Sequence, residues 1–89
     1  MASSELTIIN KLGLHARAAS RLVQTTSRFG CTIRLSCKGK TVDGKSIMAV
    51  MMLAAAKGTL LTVETSGKDE AAALEAIRTL IENRFDEAE

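Results

Sequence analysis

The chain contains one histidine, and its neighbours are unusual for a structural one. In the stretch NKLGLHARAA, residues 10–19, His15 stands two residues after Gly13, two before Arg17, and directly ahead of an alanine-rich segment. If a helix starts near Ala16, His15 takes the N-cap or first position. There several backbone N–H groups lack a helical partner, and the helix dipole adds roughly half a positive charge. Such a place suits a dianionic group. Arg17 would sit in the first turn, where its guanidinium matches phosphate oxygens. A cation placed against the helix dipole makes sense where an anion is expected. An unprotonated ring nitrogen of His15 can attack phosphorus. Gly13 lets the backbone turn sharply and approach a partner closely. The chemistry these residues suit is reversible acceptance of a phosphoryl group. A histidine in this place also serves as a plain cap or surface residue. The chain offers no second histidine and no Walker-type glycine loop, and no Ser-His-Asp or Cys-His pairing can be read from its order. A lone reactive histidine therefore suits a protein acted on by others rather than an independent enzyme.

A second constellation lies at Ser46. Its hydroxyl can accept a bond from an orphan N–H of a following helix, which is expected to run to about residue 56 and close at Gly58. The segment IMAVMML that follows Ser46 leaves few polar positions. With residues 49, 50, 52 and 53 packed on a sheet, Ile47, Met48 and Met51 face solvent beside His15, rimmed by Arg17, Arg21 and Lys45. Methionine repacks readily against different partners, so this is a candidate docking patch; the competing reading is that these side chains fill core.

The elements that must position these groups follow from periodicity. Residues 6–10 read as a first strand and residues 11–14 as a loop turning at Gly13. In the helix from Ala16, Ala19, Leu22, Val23, Thr26 and Phe29 recur at helical spacing, with Arg17, Arg21, Gln24 and Arg28 opposite. Gly30 then stands where a left-handed C-cap is usual. Residues 31–37 alternate, Cys31, Ile33, Leu35 and Cys37 inward and Thr32, Arg34 and Ser36 outward, as a half-buried strand does. Lys38-Gly39 turns into a short returning strand, residues 40–43, and Asp43-Gly44 turns again. Residues 60–65 form a fourth strand. Asp69 caps a last helix whose stripe is Leu74, Ile77, Leu80 and Ile81, and residues 86–89 are an acidic, frayed tail. The order is β-α-β-β-α-β-α, a four-stranded sheet with helices on one face and a right-handed β-α-β crossover.

Composition narrows the function classes. At 89 residues the chain reads as one domain, 1–89, with no room for a large cofactor. A net charge of +2 and only two aromatic residues, Phe29 and Phe85, argue against nucleic-acid binding. No apolar run reaches membrane-spanning length, and the start of the chain lacks the regions of a signal peptide; the expectation is a cytoplasmic protein without membrane insertion. Cys31 and Cys37, on one strand, lie about 20 Å apart at ~3.3 Å per residue. That is too far for a disulfide, so both are read as reduced thiols, and zinc-ligand spacing is missing. No cofactor or metal is expected.

The segment KLGLHARAA resembles the active-site stretch of the histidine-containing phosphocarrier (HPr) family of the bacterial phosphoenolpyruvate phosphotransferase system, and GKSIMAVMMLAAAKG resembles that family's second signature, around a regulatory serine. Length, element order and the distance between the motifs also match. The resemblance implies an α+β, open-faced β-sandwich with a four-stranded antiparallel sheet and three helices. It implies that His15 accepts a phosphoryl group on Nδ1 from phosphorylated enzyme I and passes it to an enzyme II A-type domain, with Arg17 contacting the phosphoryl group. It implies that Ile47, Met48 and Met51 contact those partners, and that Ser46 is a target of an ATP-dependent HPr kinase/phosphorylase. A monomer is expected. Where the family usually has proline after the arginine, this chain has Ala18, a strong helix former that keeps its N–H. Three roles stay open on sequence: a carrier in sugar uptake, a regulatory carrier of the nitrogen branch, and a binding-only regulator controlled at Ser46. The RFDEAE ending and the Ala/Met-rich second helix lean towards the nitrogen branch, and the presence of His15 speaks against the last.

Overall fold

The computed structural model describes residues 1–86, so residues 87–89 of the expected acidic tail lie outside the described residues. Eight elements follow in order: β1 (Ala2–Thr7), α1 (Ala16–Thr26), β2 (Thr32–Cys37), β3 (Lys40–Asp43), α2 (Ile47–Met52), β4 (Leu60–Ser66), α3 (Glu70–Glu82) and a 3-10 turn at Arg84–Asp86. The sheet order is β1-β4-β2-β3, and every neighbouring pair is antiparallel. Because β4 runs against both β1 and β2, those two strands are parallel to each other with β4 inserted between them. The β-α-β crossover thus steps over one strand instead of joining neighbours.

Alternation along the strands sorts side chains to two faces. Leu6, Ile33, Leu35, Cys37, Leu61 and Val63 point to the helices and are buried against Ala18, Ala19 and Leu22 of α1, Val50 of α2, and Ala73, Ile77 and Ile81 of α3. The other face stays open and polar. There the register sets Arg34 between Asp43 of β3 and Glu64 of β4, and the hydroxyls of Ser36 and Thr41 are 3.0 Å apart. Lys38 and Gly39 both take positive φ, the pairing that a two-residue hairpin with right-handed strand twist demands.

Four boundaries differ from the sequence-based expectation, each for a local reason. β1 begins at Ala2, because Ala2 to Glu5 pair with Thr65 to Thr62; ladder partners outweigh the polar character of ASSE. Ile8 instead exchanges bonds with the loop before β4, donating to Thr59 O (3.0 Å) and accepting from Gly58 N (2.7 Å). Gly58 therefore anchors that loop and does not close α2. α1 stops at Thr26, where the Thr26 hydroxyl donates to Gly44 O at 2.8 Å and Val23 O at 3.1 Å. Gly30 is not left-handed, and its N–H goes to Asp69 Oδ2 at 2.9 Å. α2 is one and a half turns long, ending at Met52, with Ala54 at φ +50°.

That last angle is a built-in weakness. A Cβ in the left-handed region meets the backbone, and glycine alone avoids this. Ala54→Gly is expected to stabilise the fold by about 0.5–1 kcal/mol, a rise of about 2–8 °C in Tm for a domain of this size. Thermal unfolding followed by circular dichroism checks it, and an unchanged or lower Tm refutes it.

Asp69 holds the N-cap position of α3 but does not cap it. Its carboxylate reaches across to the α1–β2 connection and accepts from Gly30 N and from Cys31 N (3.0 Å). Those bonds, Gly30 N–H foremost, together with the Cys31 thiol, hold the Asp69 carboxyl below its ordinary value of 3.8. A lowered folded-state pKa means stabilisation that is complete above the unfolded value and is lost as pH falls through the folded one. Glu70, lowered chiefly by the Met1 ammonium at 3.1 Å, acts in the same sense. Asp69→Asn is expected to lower Tm at neutral pH and to flatten its fall below pH 3.8, with the Glu70 share of the slope remaining. A slope identical to the parent's counts against the staple.

Candidate phosphoryl-accepting site

His15 is the N-cap residue of α1, in extended conformation at φ −79°, ψ −179°. Its carbonyl accepts the first helical bond, from Ala19 N at 2.8 Å, while its side chain makes no capping bond and the residue is half-buried. Three backbone N–H groups, those of Ala16, Arg17 and Ala18, precede that first bond. No acidic residue stands in the first turn to occupy the positive end of the dipole. Ala18 faces the core and is fully buried, so this position of the first turn serves packing, with its N–H retained. Arg17 is exposed.

The loop before His15 is tightly held. Gly13 has φ +65°, and a Cβ there would run into the Ala55 carbonyl oxygen. Gly13 N donates to Asn10 O at 3.2 Å, and the buried Asn10 side chain returns a bond from Nδ2 to Gly13 O at 2.8 Å. Leu14, itself buried, donates to Ala55 O at 2.8 Å. The chain just before His15 is thus fastened to the chain just after α2, and α2 packs against α1. These bonds set the histidine next to the Ser46 helix, 31 positions away in sequence.

Ser46 caps α2, its Oγ accepting from Ala49 N at 3.3 Å. Among the side chains expected to form an apolar patch, Ile47 is 42% exposed, Met48 72% and Met51 39%. Met52, expected to pack on the sheet, is instead 69% exposed. The short helix buries only the side bearing Val50, and Met52 lies one turn beyond Met48 on the outward side. That i, i+4 spacing was the signal available in the sequence. Leu12, in the loop before His15, is exposed as well and was not anticipated. The cationic rim is more constrained than expected. The Arg21 guanidinium donates to the carbonyl of Phe85, a fully buried residue of the C-terminal turn. The Lys45 ammonium donates to Phe29 O at 2.6 Å. Arg17 is the cation of the three that lies in the first turn of α1.

Cys31 and Cys37 are free and buried, and burial, together with the Asp69 carboxylate, pushes the Cys31 thiol up. Among the described residues no group of three or more His, Cys, Asp and Glu is placed to hold a metal ion, and no helix is long and apolar enough to cross a membrane.

Known proteins carry the same pattern. Residues 2–83 match the family model described as PTS HPr component phosphorylation site. The phosphocarrier protein HPr of Pseudomonas aeruginosa is 57% identical over 90 residues, with both chains covered in full. That of Xylella fastidiosa strain Temecula1 is 54% identical over 87 residues, 98% of each chain. The crystal structure of HPr-C-His from Thermoanaerobacter tengcongensis shares the fold over the whole of both chains, with a TM-score of 0.96 at 39% identity. The open-faced α+β sandwich is thus that of a known lineage, and this chain belongs to the HPr family of the phosphotransferase system.

Proposed function

We propose that the chain is a cytoplasmic, single-domain phosphocarrier, in which His15 accepts a phosphoryl group from phosphorylated enzyme I and gives it to an enzyme II A-type domain. The observation that carries this reading is the chain's only histidine at the head of a helix whose first turn holds no acid and no side-chain cap. In the forward step Nδ1 of His15 bonds to phosphorus as the bond from phosphorus to the donor breaks. The new dianion lies against the backbone N–H groups of Ala16, Arg17 and Ala18, and the exposed Arg17 guanidinium folds over its oxygens. Binding at the end of one helix and by one exposed arginine keeps the phosphoryl group stable enough to carry and weakly enough held to leave.

Ile47, Met48 and Met51, with Met52 beside them, form the apolar centre of the docking face; Arg17 supplies the cation at its edge, with Arg21 and Lys45 adding positive charge from where the Phe85 and Phe29 carbonyls hold them. Such a face suits partners with an apolar centre and acidic surroundings. Ser46 is the regulatory position, where an HPr kinase/phosphorylase would place a phosphate at the edge of that face. The protein acts as a monomer.

The test is incubation with labelled phosphoenolpyruvate and, separately, each cognate enzyme I. Acid-labile label appearing on the chain supports the carrier role and names the branch by the enzyme I that delivers it. A parallel incubation with labelled ATP and cell extract completes the test: acid-stable label on Ser46, with none taken from phosphoenolpyruvate, would assign a binding-only regulator instead.

A further inference from the structure

The described core is built of Leu, Ile, Val, Ala, Cys and Phe, with no methionine in it. All four methionines are exposed: Met1 at 77%, and Met48, Met51 and Met52 together on α2. The chain has no tryptophan or tyrosine, and both cysteines are only 4% exposed. The sulfur that an oxidant in solution meets first is therefore thioether sulfur, and three of its four instances lie on one short helix. Met48 and Met52 stand one turn apart, and Met51 flanks them, on the element to which the His15 loop is fastened through Leu14 and Ala55. Met1 lies at the opposite end of β1 from that loop.

We propose that α2 is a reversible oxidation site, at which conversion of Met48, Met51 and Met52 to sulfoxides by a peroxide weakens partner docking and leaves both the fold and the His15 chemistry intact. The inference rests on the carrier reading and adds a mode of regulation to it. In each event the O–O bond of hydrogen peroxide breaks. One oxygen bonds to the thioether sulfur, which is oxidised by two electrons, and the other leaves as water. Reversal needs a dithiol, which a methionine sulfoxide reductase oxidises to a disulfide with release of water. The sulfoxide is a strong dipole where a thioether had been, so docking would bury a polar group against an apolar partner surface with nothing to bond it. Because Met48 and Met52 are largely exposed and Met51 partly so, the added dipole stays hydrated in the free protein and the fold holds. The buried Cys31 and Cys37 escape the same dose, and burial keeps the Cys31 thiol protonated and slow to react.

The experiment treats the full chain with hydrogen peroxide and maps oxidation by peptide mass spectrometry. It then measures phosphoryl transfer from enzyme I as a function of carrier concentration. Met48 and Met52 are expected to oxidise ahead of Met51, with Cys31 and Cys37 unmodified. KM should rise about tenfold, with the maximal rate and the circular dichroism spectrum unchanged. Methionine sulfoxide reductases A and B with dithiothreitol should restore the original KM. A chain carrying Met48→Leu, Met51→Leu and Met52→Leu, compared only with itself before and after peroxide, should show no change. Oxidised protein that transfers with its original KM, or a loss that tracks cysteine oxidation and survives the reductases, overturns the inference and leaves the carrier reading standing. Failure of the untreated chain to take label from any enzyme I overturns both.

Discussion

His15→Ala is expected to take no acid-labile label from phosphoenolpyruvate and enzyme I, at any enzyme concentration that saturates the parent chain. No other imidazole exists to substitute. The remaining nucleophiles near neutral pH are the thiols of Cys31 and Cys37, which are buried, with the Cys31 thiol pushed up besides. The loss is therefore complete rather than graded. Removal of the ring spares every core residue, so the circular dichroism spectrum and the cooperativity of unfolding should match the parent's. Arg17→Ala separates carrying from cradling. The imidazole still attacks, but the phosphoryl group is held by backbone N–H groups alone, so transfer slows about tenfold to a hundredfold, the range expected for one charge-assisted partner. Acid-labile label on His15→Ala, located by peptide mapping elsewhere in the chain, would displace His15 from the role.

Much of this could be read from the sequence, and the exceptions share a cause. The start of α1 was legible because Gly13, His15 and the alanine run each speak locally: a turn, a cap and a helix former. The alternation of Cys31, Ile33, Leu35 and Cys37 gave β2 and its buried face for the same reason. What stayed hidden depends on contacts between distant segments. Nothing near Ala2 announces that Thr65 is its partner. Asp69 has the sequence of a cap, and only the fold brings Gly30 and Cys31 close enough to claim its oxygens. The early end of α2 follows from the Ala55 carbonyl being needed by Leu14, a demand made 41 residues away. At the site itself, residue types fixed the nucleophile and the serine. Arg21 and Lys45 were legible as cations but not as ones whose charges are tied to the Phe85 and Phe29 carbonyls.

Ser46→Asp is expected to leave the fold in place and to raise the KM for transfer by about tenfold or more, with the loss shrinking as salt is added. The reasoning turns on the two jobs of one side chain. As a cap, serine is matched by aspartate, whose carboxylate accepts the same Ala49 N–H and is favoured at the positive end of a helix; Tm should therefore hold or rise slightly. As a surface group, the same carboxylate adds a negative charge beside Ile47 and Met48, on a face whose cations favour an acidic partner. The Lys45 ammonium is already engaged by the Phe29 carbonyl 2.6 Å from it, so pairing with the new carboxylate would cost that bond. Repulsion is felt on approach, so the effect falls on KM and is screened at ionic strengths where the Debye length drops below about 10 Å. Ser46→Ala separates the two jobs: it loses the cap, costing about 1 kcal/mol of stability, and adds no charge, so transfer stays at the parent's rate. Stability and transfer should thus move independently across the two variants. If Ser46→Ala slows transfer as much as Ser46→Asp does, the serine matters for the shape of α2 and the electrostatic account fails.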